Sequence, residues 1–164
     1  MDDSVVIREI QAPEFDLVWP IFREVVAAGD TYSYAPDISF DQAQQLWTGG
    51  GTRCFVATSA GYSVGCYMLR ANQPGLGNHI ANAGYMVAAS ARDRGIARQL
   101  CEHSMAQARS AGFSAMQFNF VVSTNEVAVG LWRKLGFDIV GRIPSAFRHA
   151  RLGPVDVLVM YRRL

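Results

Sequence analysis

Arg92, Gly95 and Ala97 are spaced as Arg-x-x-Gly-x-Ala, between an apolar run ending at Val87 and a helical repeat that begins near Gly95. Charged and small residues at such a junction suit the holding of phosphate. The first backbone N–H groups of a helix have no partner inside it, and the helix dipole adds partial positive charge there. Gly95 permits close backbone approach, Ala97 adds little bulk beside Ile96, and Arg92 and Arg94 bring charge to the turn. The segment therefore reads as a strand–loop–helix seat for a pyrophosphate. A glycine turn between strand and helix also forms without a ligand. The dinucleotide and nucleoside-triphosphate fingerprints, Gly-x-Gly-x-x-Gly and Gly-x-x-x-x-Gly-Lys-Ser/Thr, are absent.

Two asparagines interrupt apolar runs: Asn82 in Ile80-Ala81-Asn82-Ala83 and Asn119 in Phe118-Asn119-Phe120-Val121. A buried amide must satisfy two donors and an acceptor, or lose on the order of 1–3 kcal/mol per unmade bond. Two readings stay open. The amides close internal bonds or face water, or they clamp the carboxylate or amine of a small molecule. Tyr32 and Tyr34, in the loop Gly29-Asp30-Thr31-Tyr32-Ser33-Tyr34-Ala35-Pro36, either wall a pocket or pack over the core edge. His79, His103 and His149 are scattered imidazoles with near-neutral intrinsic pKa. His149 shares a basic stretch with Arg142, Arg148 and Arg151 and is a candidate partner for a substrate carboxylate. No metal-ligand spacing is present, and Cys54, Cys66 and Cys101 show no nucleophile–base spacing.

These residues need a scaffold. Val5 to Ile10 reads as a first strand. A helix follows from Pro13 and Glu14, with Phe15, Val18, Trp19, Phe22 and Val26 on its buried face and Pro20 able to kink it or start it late. Ser39 and Gln42 have capping-box form for a short helix ended by Gly49-Gly50-Gly51. Cys54–Ala57 and Val64–Leu69 read as an antiparallel hairpin turned at Gly61. His79 to Val87 is the strand feeding the Arg92 turn. Its helix runs from about Gly95 to Ser110, with Ala97, Leu100, Cys101, Met105 and Ala108 inward. Ser114 to Val122 is then a parallel crossover partner. Ser123 and Glu126 are candidate caps for the next helix. Phe137 to Gly141 starts a strand, Gly141–Pro154 reads as a long loop, and Val155 to Tyr161 is the last strand.

At 164 residues, half of them apolar, the chain is expected to form one α/β domain over residues 1–164. A net charge of +1 gives no field for nucleic acid. The opening aspartates predict no signal peptide, and the lack of an 18-residue apolar run predicts no membrane span. Three widely spaced cysteines fit reduced thiols in the cytoplasm better than a disulfide framework.

The Arg92-x-x-Gly95-x-Ala97 turn, with Asn125 and Trp132-Arg133-Lys134-Leu135-Gly136-Phe137 downstream, resembles the GCN5-related N-acetyltransferase (GNAT) family from about Ile7 onward. That family moves an acetyl group from acetyl-coenzyme A to an amine. The resemblance implies its fold: a mixed, mostly antiparallel sheet with helices on both faces. It implies that the central strands splay apart to admit the coenzyme arm. It assigns the pyrophosphate to backbone groups around Arg92–Ala97 and a coenzyme contact to Asn125. It also makes the Val87 backbone N–H the donor to the thioester carbonyl. The two strand asparagines are further similar to fungal L-azetidine-2-carboxylate and proline-analogue acetyltransferases, which implies a substrate role for Asn82 and Asn119. Family members place substrate-facing residues near Tyr32 and Tyr34, and they often dimerise. Many carry a tyrosine where this chain has Trp132, and the indole N–H cannot protonate a thiolate. Trp132 is left to pack against the coenzyme arm or fill the core. The resemblance therefore implies acetylation of a small amine, with two alternatives: a protein or peptide N-acetyltransferase, and a non-catalytic coenzyme-binding module.

Overall fold

In the computed structural model, which describes residues 4–164, seven strands form one mixed sheet with helices on both faces. The reading of Asp2 and Asp3 lies outside the described residues. The elements run β1 (Val6–Ile10), α1 (Trp19–Ala28), α2 (Phe40–Thr48), β2 (Arg53–Ser59), β3 (Tyr62–Ala71) and β4 (Ile80–Val87). After them come α3 (Ile96–Ser110), β5 (Ala115–Val122), α4 (Glu126–Lys134), β6 (Asp138–His149) and β7 (Gly153–Arg163). Strand order across the sheet is β1-β2-β3-β4-β5-β7-β6. Every neighbouring pair is antiparallel except β4–β5, the product of the α3 crossover.

Proline decides how the first helix starts. Pro13 opens a short 3₁₀ segment over Ala12–Leu17, whose first turn is closed by Gln11 and Glu14. The α-helix begins only at Trp19, with Pro20 in its first turn, where a missing N–H costs nothing. Ser39 and Gln42 form the reciprocal cap of α2. Asn125 caps α4, its side chain accepting from the Ala128 N–H, so the expected Ser123 cap is corrected. The cap lies one residue before the helix because only there does a side-chain oxygen reach the first free N–H groups.

Alternation along β4 sorts its side chains. Tyr85 points to α3, its hydroxyl 2.7 Å from Ser104 Oγ, and Tyr67 of β3 points the same way, 2.7 Å from His103 Nδ1. Gly84 faces the other side, beneath Tyr32. On the α3 side, Gly65 sets how close the helix lies. A methyl group there would sit 3.0 Å from Ile96 Cγ2 and from Leu100 Cδ1. The start of α3 is thus seated against β3.

The long loop expected over 141–154 is a correction: β6 continues to His149 and turns tightly into β7. Its polar sequence hid the strand because β6 is an edge with mostly exposed residues on both faces. Pro144 and Ser145, at φ +52°, fall within an irregularity between Ile143 and Phe147, where an edge tolerates proline. Asp156 of β7 holds that irregularity, accepting from the Ser145 N–H at 3.0 Å and from Arg142 at 2.6 Å.

Candidate active site

The parallel pair β4–β5 is short. Ladder pairing covers Ile80–Ala115, Ala81–Met116 and Asn82–Gln117, and none follows. The strands part beyond that point, as the sequence reading expected. In an antiparallel ladder successive residues turn their backbone groups to opposite sides. Ala88 N donates to Val64 O and Ile80 O accepts from Asn72 N, so even-numbered residues of β4 face β3. The C=O of Ala83 and the N–H and C=O groups of Tyr85 and Val87 therefore face the side where β5 has parted. An extended ligand laid there would meet the backbone groups of a strand edge, of which the Tyr85 carbonyl already accepts from the Tyr32 hydroxyl.

The Arg92 turn closes the upper end of β4. Asp93 and Gly95 both take left-handed backbone, at φ +60° and +73°, and α3 starts at Ile96 with no side chain capping it. The first intrahelical bond runs from Gln99 N to Gly95 O. The Ile96, Ala97 and Arg98 N–H groups lie ahead of it, at the positive end of a 15-residue helix. Ile96 itself is buried, so only its backbone can reach a ligand there. Arg92 is exposed at the turn, while Arg94 bonds Ser59 Oγ at 3.3 Å. A Cβ at Gly95 would meet no protein atom within 4 Å, so the glycine serves the backbone angle and whatever approaches the turn. Glu24 of α1, unremarked in the sequence, accepts from the Ala89 N–H at 3.2 Å beside this turn. It lines an open cleft of about 580 Å³ with Arg23, Ser63 and Ala88.

Asn82 marks the point of divergence. It is buried and donates from Nδ2 to the Gln117 carbonyl at 3.0 Å, which leaves its Oδ1 to offer. Asn119, two residues past Gln117, is exposed. It accepts from Gln117 Nε2 at 2.9 Å and donates to Asn72 Oδ1 at 2.7 Å. Asn82, Gln117 and Asn119 lie on the Gly84–Tyr32 face. Gln117 and Asn72 were missed. Period-two alternation places Gln117 beside Asn119, whereas Asn72 sits among turn formers and gives no signal.

Tyr32 and Tyr34 are half-buried and stack at 5.7 Å, nearly parallel. Both hydroxyls are engaged: Tyr32 donates to Tyr85 O at 2.7 Å, and Tyr34 accepts from Trp47 Nε1 at 3.1 Å. The pair packs over the core edge, with ring faces and edges left to meet a ligand. The β6–β7 turn reaches this loop through Ala150 N to Gly29 O at 2.9 Å. His149 is buried in that turn. Its Nδ1 accepts from the Arg151 and Leu152 backbone N–H groups, which can only donate, so the ring proton sits on Nε2. Nε2–H is what remains for a carboxylate. A bulge between Phe118 and Val121 swings Phe120 toward Phe147, ring centroids 6.2 Å apart. Bulges often re-aim side chains beside a site.

On the opposite face Trp132 fills the gap behind the diverging strands. Its ring lies 5.0 Å from Tyr85 and 5.3 Å from Phe118, one on each strand. Asn125 is held as the α4 cap, its Oδ1 3.3 Å from Ala128 N. Acid–base groups are scarce here. Burial pushes the Tyr85 hydroxyl well above its ordinary range, and pushes the Cys101 thiol up to about 12. Neither ionises near neutrality. His103 bonds Tyr67 on the α3 side, away from Asn82 and Asn119. Among the described residues, no three His, Cys, Asp or Glu side chains gather to hold a metal, and no helix is long and apolar enough to cross a membrane.

Comparison with known proteins gives four findings. The family model described as Acetyltransferase (GNAT) family matches residues 11–137. A solved GCN5-related N-acetyltransferase from Kribbella flavida is 43% identical, covers 98% of each chain and superposes with a TM-score of 0.91. A phosphinothricin acetyltransferase from Sinorhizobium meliloti, solved with acetyl-CoA, shares the fold at 22% identity; the match covers 98% of this chain and 88% of that one, with a TM-score of 0.82. Among curated proteins, N-acetyltransferase aca1 of Schizosaccharomyces pombe is 36% identical over 85 residues. That match spans 52% of this chain and 41% of the relative.

Proposed function

The chain belongs to the acetyltransferase (GNAT) family, a family of acetyl-CoA-dependent N-acetyltransferases, and we propose that it acetylates a small amine bearing a carboxylate, such as an amino or cyclic imino acid. One observation carries this reading. The strands part at Asn82–Gln117, beneath the uncapped start of α3, and amide side chains line one face of the parting. The acetyl-CoA arm lies along the odd-numbered backbone of β4, with its pyrophosphate on the N–H groups of Ile96 to Arg98. Val87 N–H donates to the thioester carbonyl as charge builds on its oxygen. The amine nitrogen attacks the carbonyl carbon, the C–N bond forms, the C–S bond breaks, and coenzyme A leaves as the thiolate. Holding the two reactants together supplies much of the rate. The amine proton leaves through water, and water also protonates the thiolate, since Trp132 has no acidic proton to give. Asn82 Oδ1 and Asn119 contact the acceptor, Tyr32 and Tyr34 wall it, and His149 Nε2–H meets its carboxylate. Asn125 and Trp132 border the coenzyme arm.

The Ala150–Gly29 bond supports a compact acceptor over a peptide, because it bridges the two segments that flank the amide face. A thiol-release assay with acetyl-CoA against free amino acids, proline analogues, polyamines and short peptides tests the proposal. Turnover with small amino or imino acids supports it, and turnover with peptides alone refutes the acceptor class. Coenzyme binding with no thiol release from any amine favours a non-catalytic module.

A homodimer is also part of this reading. The exposed Ile139, Val140 and Ile143 on edge strand β6 offer the contact, and light scattering at micromolar concentration tests it. Three buried free cysteines suit a reducing, cytoplasmic setting.

A further inference from the structure

Three amides form a chain across the acceptor face. Gln117 Nε2 donates to Asn119 Oδ1, and Asn119 Nδ2 donates to Asn72 Oδ1. Both ends are anchored in backbone. Asn72 N bonds Ile80 O at 2.7 Å, and the Gln117 carbonyl accepts from Asn82 at 3.0 Å. We propose that Asn72 and Gln117 are positioning residues that fix the amide orientation of Asn119 and thereby the direction in which a zwitterionic acceptor lies. This rests on the reading that Asn119 contacts the acceptor.

The argument is one of donors and acceptors. Asn119 has two N–H donors and an oxygen with two lone pairs. Its neighbours use one of each, so one N–H and one lone pair remain. Turning over all three amides preserves every contact but exchanges the sides on which the free N–H and free lone pair lie. A carboxylate needs the N–H and an amine needs the lone pair, so a zwitterion fits only one direction. The productive direction runs from Gln117 through Asn119 to Asn72. An isolated Asn119 would sample both and lose the ordering advantage.

Two charge-matched variants separate the directions. In Asn72→Asp residue 72 can only accept, which keeps the productive direction. In Gln117→Glu residue 117 can only accept, which forces the reverse. Both add one negative charge, so general repulsion of a carboxylate is common to them. In coenzyme-free protein, NOEs from the Asn119 side-chain N–H₂ should point to residue 72 in the parent and in Asn72→Asp, and to residue 117 in Gln117→Glu. With the best amino or imino acid substrate, kcat/KM of Gln117→Glu should fall at least tenfold below that of Asn72→Asp. Asn72→Ala should raise KM several-fold. Similar NOE patterns in the two acidic variants, kcat/KM values within twofold of each other, the reverse ranking, or parental kinetics in Asn72→Ala each overturn the proposal. Asn119→Ala is the control. If it keeps full turnover with acetyl-CoA affinity intact, the acceptor reading itself fails and takes this proposal with it. If it loses turnover while the acidic variants behave alike, only the positioning role fails.

Discussion

Tyr32 donates its hydroxyl to the backbone carbonyl of Tyr85 at 2.7 Å, although 53 residues separate them. The approach depends on Gly84, where a methyl group would lie 3.2 Å from the Tyr32 oxygen. The carbonyl it satisfies faces the opened side of β4, where no β5 ladder reaches. Tyr32→Phe should therefore cost about 1 kcal/mol of stability, read as a lower urea midpoint at unchanged slope. An unchanged midpoint would mean that water replaces the hydroxyl at no cost.

Gly65 and Gly95 separate two ways of damaging the proposed coenzyme seat. Gly65→Ala forces a methyl against Ile96 and Leu100, and should cost about 1–3 kcal/mol while lifting the start of α3. Gly95→Val meets open space in the protein, so its stability loss is limited to backbone strain of roughly 1–2 kcal/mol. Calorimetry with acetyl-CoA should show at least tenfold weaker binding for Gly95→Val at a temperature where both variants are folded.

The two strand asparagines should part company in stability. Asn82→Ala removes a buried amide and its bond to the Gln117 carbonyl, and should cost about 1–3 kcal/mol. Asn119→Ala removes an exposed amide and should stay within about 0.5 kcal/mol of the parent. Both should lower turnover at least tenfold with acetyl-CoA affinity retained. Equal thermal midpoints for the two variants would contradict the different surroundings of their amides.

Trp132 is packed between Tyr85 and Phe118, and its N–H has no useful acidity. Trp132→Phe should then keep kcat within about threefold at every pH tested, and lose stability through the smaller ring. A tenfold fall in kcat, with a changed pH profile, would assign the indole a direct part in the chemistry.

His103 sets a pH dependence of stability. Burial, and then the nearby Arg53 charge, hold its pKa below the ordinary 6.5, while Nδ1 faces the Tyr67 hydroxyl. The unfolded chain protonates first as pH falls through about 6.5, so stability is lost from there down to the folded pKa. Above that window both states are neutral and the effect vanishes. His103→Gln should flatten the slope of melting temperature between pH 7 and pH 5. Glu9 and Asp156, whose carboxyls are held below their usual values of 4.5 and 3.8, act only at lower pH.

Much of the scaffold was legible because its signals are local. Ser39 and Gln42 announce a helix start, Gly95 marks the turn before a helical repeat, and the apolar run ending at Val87 announces β4. The β6 extension was not legible. An exposed edge strand carries no apolar alternation, and Pro144 reads as a loop. At the site, the sequence singled out Asn82 and Asn119 as unusual amides but could not say what they bond. Those partners, the Gln117 carbonyl and Asn72, come from segments 35 and 47 residues away. The engaged hydroxyls of Tyr32 and Tyr34 were invisible for the same reason: long-range contacts leave no mark on composition.

Strand β4 carries two messages in eight residues. Its odd-numbered backbone groups line the opening, while its even-numbered side chains, Asn82 among them, lie on the other sheet face from Tyr85. Main-chain groups survive almost any substitution, whereas side chains change with each one. If residues 82 and 119 contact the acceptor as proposed, mutation can explore new acceptors there while the proposed donor seat on the β4 backbone is inherited intact. On this layout, descendants of one ancestor diversify in what they modify long before they diverge in what they modify it with.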